Sequence, residues 1–218
     1  MNLWAIWLDL ITGLINGLVS DTGLQLGIAI ILATIILRFA LLPISWSITY
    51  RGVIRQKKLI KLQPELVKLR DAYSDKPDMY MQRMMSLYHK HDVAFFDGQS
   101  LIAALVQFPL LLGMFQVLRN IGDGVRFLWV QNLLKPDFWL ALIAGITTML
   151  MIIVNPDMPD QARLFMIIIP SVLATLFALK FSSALAIYWA TSNCFTAAQT
   201  IAVHYFVGCQ INSGKLKL

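Results

Sequence analysis

Arg38 is the one charged residue in an apolar run from 24 to 46, and that isolation is the first chemical signal in the sequence. A guanidinium stays charged at any physiological pH, and holding it inside a membrane-crossing helix costs on the order of 2.5–3.5 kcal/mol on insertion scales. It lies about four residues, roughly 6 Å, to one side of the middle of the run. No Asp or Glu occurs in any of the long apolar runs, so none of them offers an ion-pair partner. The expected arrangement is a hydrated cavity, lined by the helical face that Thr34, Ser45 and Thr49 share with Arg38. A second polar set, Tyr188, Ser192, Asn193, Thr196, Gln199 and Thr200, falls within an arc of about 140° at 100° per residue. Gln107, Ser171 and Thr175 are weaker candidates. Two plainer readings remain open: Arg38 snorkels to the headgroups, and the hydroxyls and amides bond helix to helix.

Bond-making chemistry finds little support. The chain has no GxSxG, HExxH, phosphate loop or metal-ligand cluster. An intramembrane hydrolase would lack a nucleophile and base pair. His89 and His91 end a basic stretch and His204 lies near the end of the last apolar run, where solvated or interfacial roles are expected. Cys194 and Cys209 fall too far apart on one helix to bridge. No cofactor and no metal are expected. The net charge of +6 is small for a nucleic-acid binder and is concentrated in one loop, so no direct nucleic-acid specificity is expected.

The elements that must position these residues are membrane helices. Of 218 residues, 58% are hydrophobic and 14% charged, against about 45–50% and about 25% in a soluble domain. The mean hydropathy is +0.67. The fold class is therefore an all-α polytopic membrane protein. Residues 1–23 read as an external amphipathic helix and linker, lying in the interface on Trp4 and Trp7, with an additional span as the alternative. Five spans follow, at 24–46, 99–118, 138–154, 164–180 and 184–207. A helical hairpin at 47–98, a loop at 119–137, a loop at 155–163 and a tail at 208–218 connect or end them. Ten Lys and Arg in 47–98, Arg163, Lys215 and Lys217 give thirteen on one side of the membrane. Arg119, Arg126, Lys135 and Lys180 give four on the other. By the positive-inside rule the hairpin and C-terminus are cytoplasmic and the N-terminus is outside.

The hairpin carries Arg51, Arg55, Lys57, Lys58, Lys61, Lys68 and Arg70 among leucines, a turn at 74–78, and then Met79, Met81, Met84 and Met85. Pro64 predicts a kink or restart. The hairpin suits anionic lipid, and its methionines suit varied apolar partners; the two roles are compatible.

Four stretches carry a resemblance: 27–43, ending Leu37-Arg38 and then Pro43; Leu62-Gln63-Pro64-Glu65; Gln107-Phe108-Pro109-Leu110; and Ala186-Ile187-Tyr188-Trp189-Ala190-Thr191-Ser192-Asn193 through Gln199. In this order and spacing the chain resembles the YidC-type membrane protein insertase family, with its mitochondrial and chloroplast relatives, in the form without a large external domain. The resemblance implies five helices around a hydrophilic groove, open to cytoplasm and lipid, in the bacterial cytoplasmic (inner) membrane. It places the groove charge at Arg38, with Thr34, Gln107, Tyr188, Ser192, Asn193, Thr196 and Gln199 around it, and the substrate exit path at Phe108, Pro109, Tyr188 and Trp189. It implies nascent membrane proteins and the lipid bilayer as partners, with the ribosome and the Sec translocon as further candidates. The segment 92–98 and Ser182-Ser183-Ala184 depart from the family pattern. A small transporter or channel is the rival reading, although no internal repeat supports it.

Cysteine labelling from outside the cell should reach a probe at Gly124 and miss one at Asp75. The reverse pattern would invert the orientation.

Overall fold

The computed structural model of the chain describes residues 2–91, 93, 98–119, 121, 123–154 and 163–216, without the side chains of 99, 100, 103 and 104. Most of the loop at 155–163, most of the departure at 92–98, and Lys217 lie outside the described residues. Those residues form helices α1 (Leu3–Ser20), α2 (Leu26–Ala72), α3 (Pro77–Lys90), α4 (Gly98–Leu118), α5 (Phe138–Ile153), α6 (Arg163–Ala178) and α7 (Ser183–Asn212). Among the described residues the one β feature is an isolated bridge between Phe127 and Val130.

Local chemistry sets several helix ends. Asn2 caps α1 by accepting from the Trp4 amide at 3.3 Å, and Asp137 caps α5 by accepting from the Leu140 amide at 2.9 Å. α3 starts on Pro77, whose missing N–H would have no partner in a first turn, and ends on His89 and Lys90, which suit the negative end of the helix dipole. α2 runs for 47 residues. It passes through Pro43 and Pro64 without interruption, so of the kink or restart expected at Pro64 the restart does not occur, and no break separates 46 from 47. A proline removes one bond of the ladder, and in a long cooperative helix the intact turns on either side hold the segment together.

The chain divides into two compact units, one of Met1–Ile44 with Val106–Ile201 and one of Ser45–Leu105 with Ala202–Leu218. In the first, small residues allow close approach. Ala29, Ala33, Ala141, Ala144 and Ala184 are buried in one cluster with Ile30, Leu110 and Met114. A Cβ at Gly145 would overlap the Thr175 hydroxyl and lie 3.0 Å from the Ser171 carbonyl, so α5 and α6 meet through glycine. Gly113 gives α1 its seat on α4 in the same way, with Trp7 and Ile11 packed against it. Ile11 and Ile15 are fully buried. The Trp7 indole donates to the Pro109 carbonyl at 3.0 Å and the Trp4 indole to Gln116 at 3.1 Å. The two tryptophans expected to hold α1 at the headgroups therefore direct their N–H groups to α4.

The connection before α5 is built as tightly as a helix. Phe127 and Val130 exchange backbone bonds of 3.0 and 2.9 Å, and the Phe127 ring occupies the space where a Cβ at Gly27 would stand. The Leu133 carbonyl accepts from the Ala184 amide at 3.1 Å, and that of Lys135 from the Ser183 amide at 3.0 Å and the Ser183 hydroxyl at 2.6 Å. Amides left open at most helix N-termini are thus closed at α7.

In the second unit Val53, Val203 and Val207 form a small core, and Tyr50 donates to Gln210 at 2.6 Å. α3 buries none of its residues, and Met79, Met81 and Met85 are exposed.

α6 exposes Leu164, Phe165, Ile168, Ile169, Leu173 and Leu176, and an exposed apolar face of this kind marks a membrane or protein contact. By length and composition α1 and the apolar part of α2 suffice to cross a bilayer; Leu105–Leu118, Phe138–Ile153 and Arg163–Ala178 are apolar but shorter.

Gly113→Leu should lift α1 from α4, since even a Cβ would stand 2.6 Å from the Trp7 indole nitrogen and 2.7 Å from Ile11. The expected cost is about 1–3 kcal/mol, seen as earlier protease cleavage within residues 3–20. Unchanged protection would place the seat of α1 elsewhere.

Candidate functional site

α2 and α7 bring together the two polar sets that the sequence singles out. Arg38 is 8% exposed, and its Nε donates to the Ser192 hydroxyl at 3.0 Å while Nη2 donates to the same oxygen. Among the described residues Arg38 makes no ion pair. A neutral hydroxyl is the partner of a buried cation, a weaker match than a carboxylate. Tyr188, one turn earlier on α7, is 1% exposed. Its hydroxyl lies near Arg38 and Ser192 yet makes no hydrogen bond of acceptable geometry among the described residues. A buried polar atom without a protein partner is uncommon.

Beside this group lies a cavity of about 140 Å³ lined by Gln107, Leu111, Tyr188, Trp189, Ser192 and Asn193. It has room for a small cluster of waters or the end of one side chain. Asn193 is fixed from outside the cavity: its Nδ2 donates to the Thr148 hydroxyl at 2.8 Å, which donates to the Ala144 carbonyl at 2.7 Å. Thr148 is absent from the sequence-derived candidates, although a Thr147-Thr148 pair inside the apolar 138–154 run was a visible signal. The Trp189 ring packs 5.5 Å from Phe177.

Other candidates sit differently. Thr34 is fully buried and donates to the Ile30 carbonyl of its own helix at 2.7 Å; Thr196 donates to the Ser192 carbonyl at 2.9 Å. Ser171, Thr175 and Thr200 likewise donate to carbonyls four residues back. Such bonds let a hydroxyl sit in an apolar helix without a neighbour's help. Gln199 is buried on α7 but is not among the cavity-lining residues. Phe108 is 57% exposed and Pro109 has its carbonyl under Trp7, so these two lie outside the cavity that Tyr188 and Trp189 line. Among the described residues no three His, Cys, Asp or Glu side chains converge as metal ligands would.

The chain matches known proteins over nearly its whole length. A membrane protein insertase YidC of Clostridium tetani is 32% identical over 193 residues, 86% of this chain and 85% of that protein. The membrane protein insertase MisCA of Bacillus subtilis is 31% identical, over 87% of this chain and 74% of its own length. The YidC of Helicobacter pylori is 31% identical over 82% of this chain, which spans only 32% of that longer protein. The model for the 60Kd inner membrane protein family matches residues 17–208 in one piece, and the chain belongs to that family.

Proposed function

We propose that this chain is a membrane protein insertase, not an enzyme in the bond-making sense, and that the cavity beside Arg38 receives the polar flank of a nascent hydrophobic segment. The observation that carries this reading is the buried guanidinium, held among the described residues by one neutral hydroxyl, beside a cavity lined by Tyr188, Ser192 and Asn193. A polar group entering there replaces water with fixed donors, which shortens its path through hydrocarbon. At about 4 Å a client carboxylate gains roughly 1 kcal/mol from Arg38 in water and about 4 kcal/mol at an effective dielectric near 20. The charge is therefore a useful but modest attractor, strong enough to recruit and weak enough to release. The apolar part of the segment would leave along α4 and α7, past Phe108, Pro109 and Trp189. The five spans, the cytoplasmic opening, the outside N-terminus and the cytoplasmic C-terminus are parts of the same proposal. So are nascent membrane proteins as clients and the ribosome and translocon as further partners.

The direct test is growth of cells depleted of their own insertase. The chain should restore growth, and Arg38→Ala should lower insertion of clients with acidic external tails by about tenfold or more, a loss within the 4 kcal/mol above. Arg38→Lys, which keeps the charge but not the planar donor fork, should retain much of the activity. Equal insertion of acidic-tailed and neutral-tailed clients by a stably folded Arg38→Ala protein would refute electrostatic recruitment. Saturable small-solute flux in liposomes, with no effect on insertion, would favour a transporter.

Photo-crosslinkers at Phe108 and Tyr188 should both trap a nascent apolar helix. Adducts to lipid alone at both positions would rule out the exit path.

A further inference from the structure

The way Arg38 meets Ser192 singles out one edge of the guanidinium. The group has a side edge, formed by Nε–H and one Nη–H, and an end edge formed by its two Nη groups. Ser192 Oγ accepts from Nε at 3.0 Å and from Nη2, so a single hydroxyl occupies the side edge. A hydroxyl oxygen has two lone pairs, and this contact engages both. Nη1 makes no hydrogen bond among the described residues, which leaves the end edge unengaged on a side chain that is only 8% exposed and that stands behind the cavity-lining Ser192 rather than lining the cavity itself. Ser192 itself lines the cavity. The Tyr188 hydroxyl stands beside the same pair.

We infer that Ser192 is a positioning residue for Arg38: by holding the side edge it keeps the end edge ready for a client carboxylate in a two-point planar fit. The inference rests on the cavity being the place that receives clients. A carboxylate offers two equivalent oxygens to the end edge and takes two parallel charge-assisted bonds. The side-chain amide of Asn or Gln offers one oxygen and brings N–H donors against N–H donors. A freely turning guanidinium attracts a negative charge from many directions but seldom offers that fit. Ser192 therefore governs discrimination between acidic and amidated clients, a property separate from the capacity to insert.

The experiment uses the full chain in membranes and two clients that differ only by Asp against Asn in the external tail. It reads the ratio of their insertion efficiencies. Ser192→Ala should lower the Asp:Asn ratio about three- to tenfold, in the range of the net worth of one ordinary hydrogen bond. Ser192→Thr, which keeps the hydroxyl, should hold the ratio near the parent value. In an Arg38→Lys background Ser192→Ala should move the ratio no further, because an ammonium has no edge to orient. The inference is overturned by a ratio that Ser192→Ala leaves unchanged, by Ser192→Thr failing as Ser192→Ala does, or by a further fall in the Lys background. A ratio indifferent to Arg38→Ala would instead remove the cavity reading, and this inference with it.

Discussion

A cation among apolar helices must be hydrated or bonded, and among the described residues Arg38 is bonded only to a hydroxyl. An ion pair would have satisfied the guanidinium more completely and would also have closed it to anything else. Much of the site follows from that incomplete satisfaction. Ser192 has to stand at one place on α7, which fixes how α7 faces α2. Tyr188, a turn away on the same helix, is carried into the buried space with its hydroxyl unmatched among the described residues. The small-residue packing elsewhere in this unit lets the helices close tightly while a cavity of about 140 Å³ persists beside the polar group.

The remaining hydroxyls are arranged so as not to compete. Thr34, Thr196, Thr200, Ser171 and Thr175 each return a proton to a carbonyl of their own helix. A polar stripe on α7 is thus divided between groups settled within the helix and groups facing the cavity. Asn193 belongs to the second set, and Thr148 of α5 holds its amide nitrogen.

Much of this was legible in the sequence because hydrocarbon permits so few arrangements. An isolated arginine in an apolar run, and a polar arc on a helix of similar character, led to Arg38 and to Tyr188, Ser192 and Asn193. Helical periodicity gives the azimuth of a side chain but not the path of its proton. It therefore ranked Thr34 and Thr196 with Ser192, although those two bond within their own helices. Thr148 escaped notice because its role exists only through Asn193, 45 positions away. The restart at Pro64 failed to appear for a different reason: the local penalty of a proline is readable from sequence, whereas the cooperativity of a helix of 47 residues is not. The tryptophans of α1 showed their amphipathic character but not which neighbour would accept their N–H groups.

The seat of α7 on the preceding loop bears on how freely this stretch of sequence can drift. Two of its fastenings join the Leu133 and Lys135 carbonyls to the Ala184 and Ser183 amides, and main-chain atoms come with every residue type. Exchange of the Leu133 or Lys135 side chain leaves those acceptors in place, and only proline at 183 or 184 deletes a donor. The Ser183 hydroxyl adds a bond that does depend on identity, and Gly27 must remain small to admit the Phe127 ring. A connection of this kind can change most of its letters over generations and still hold the helix end in the same place.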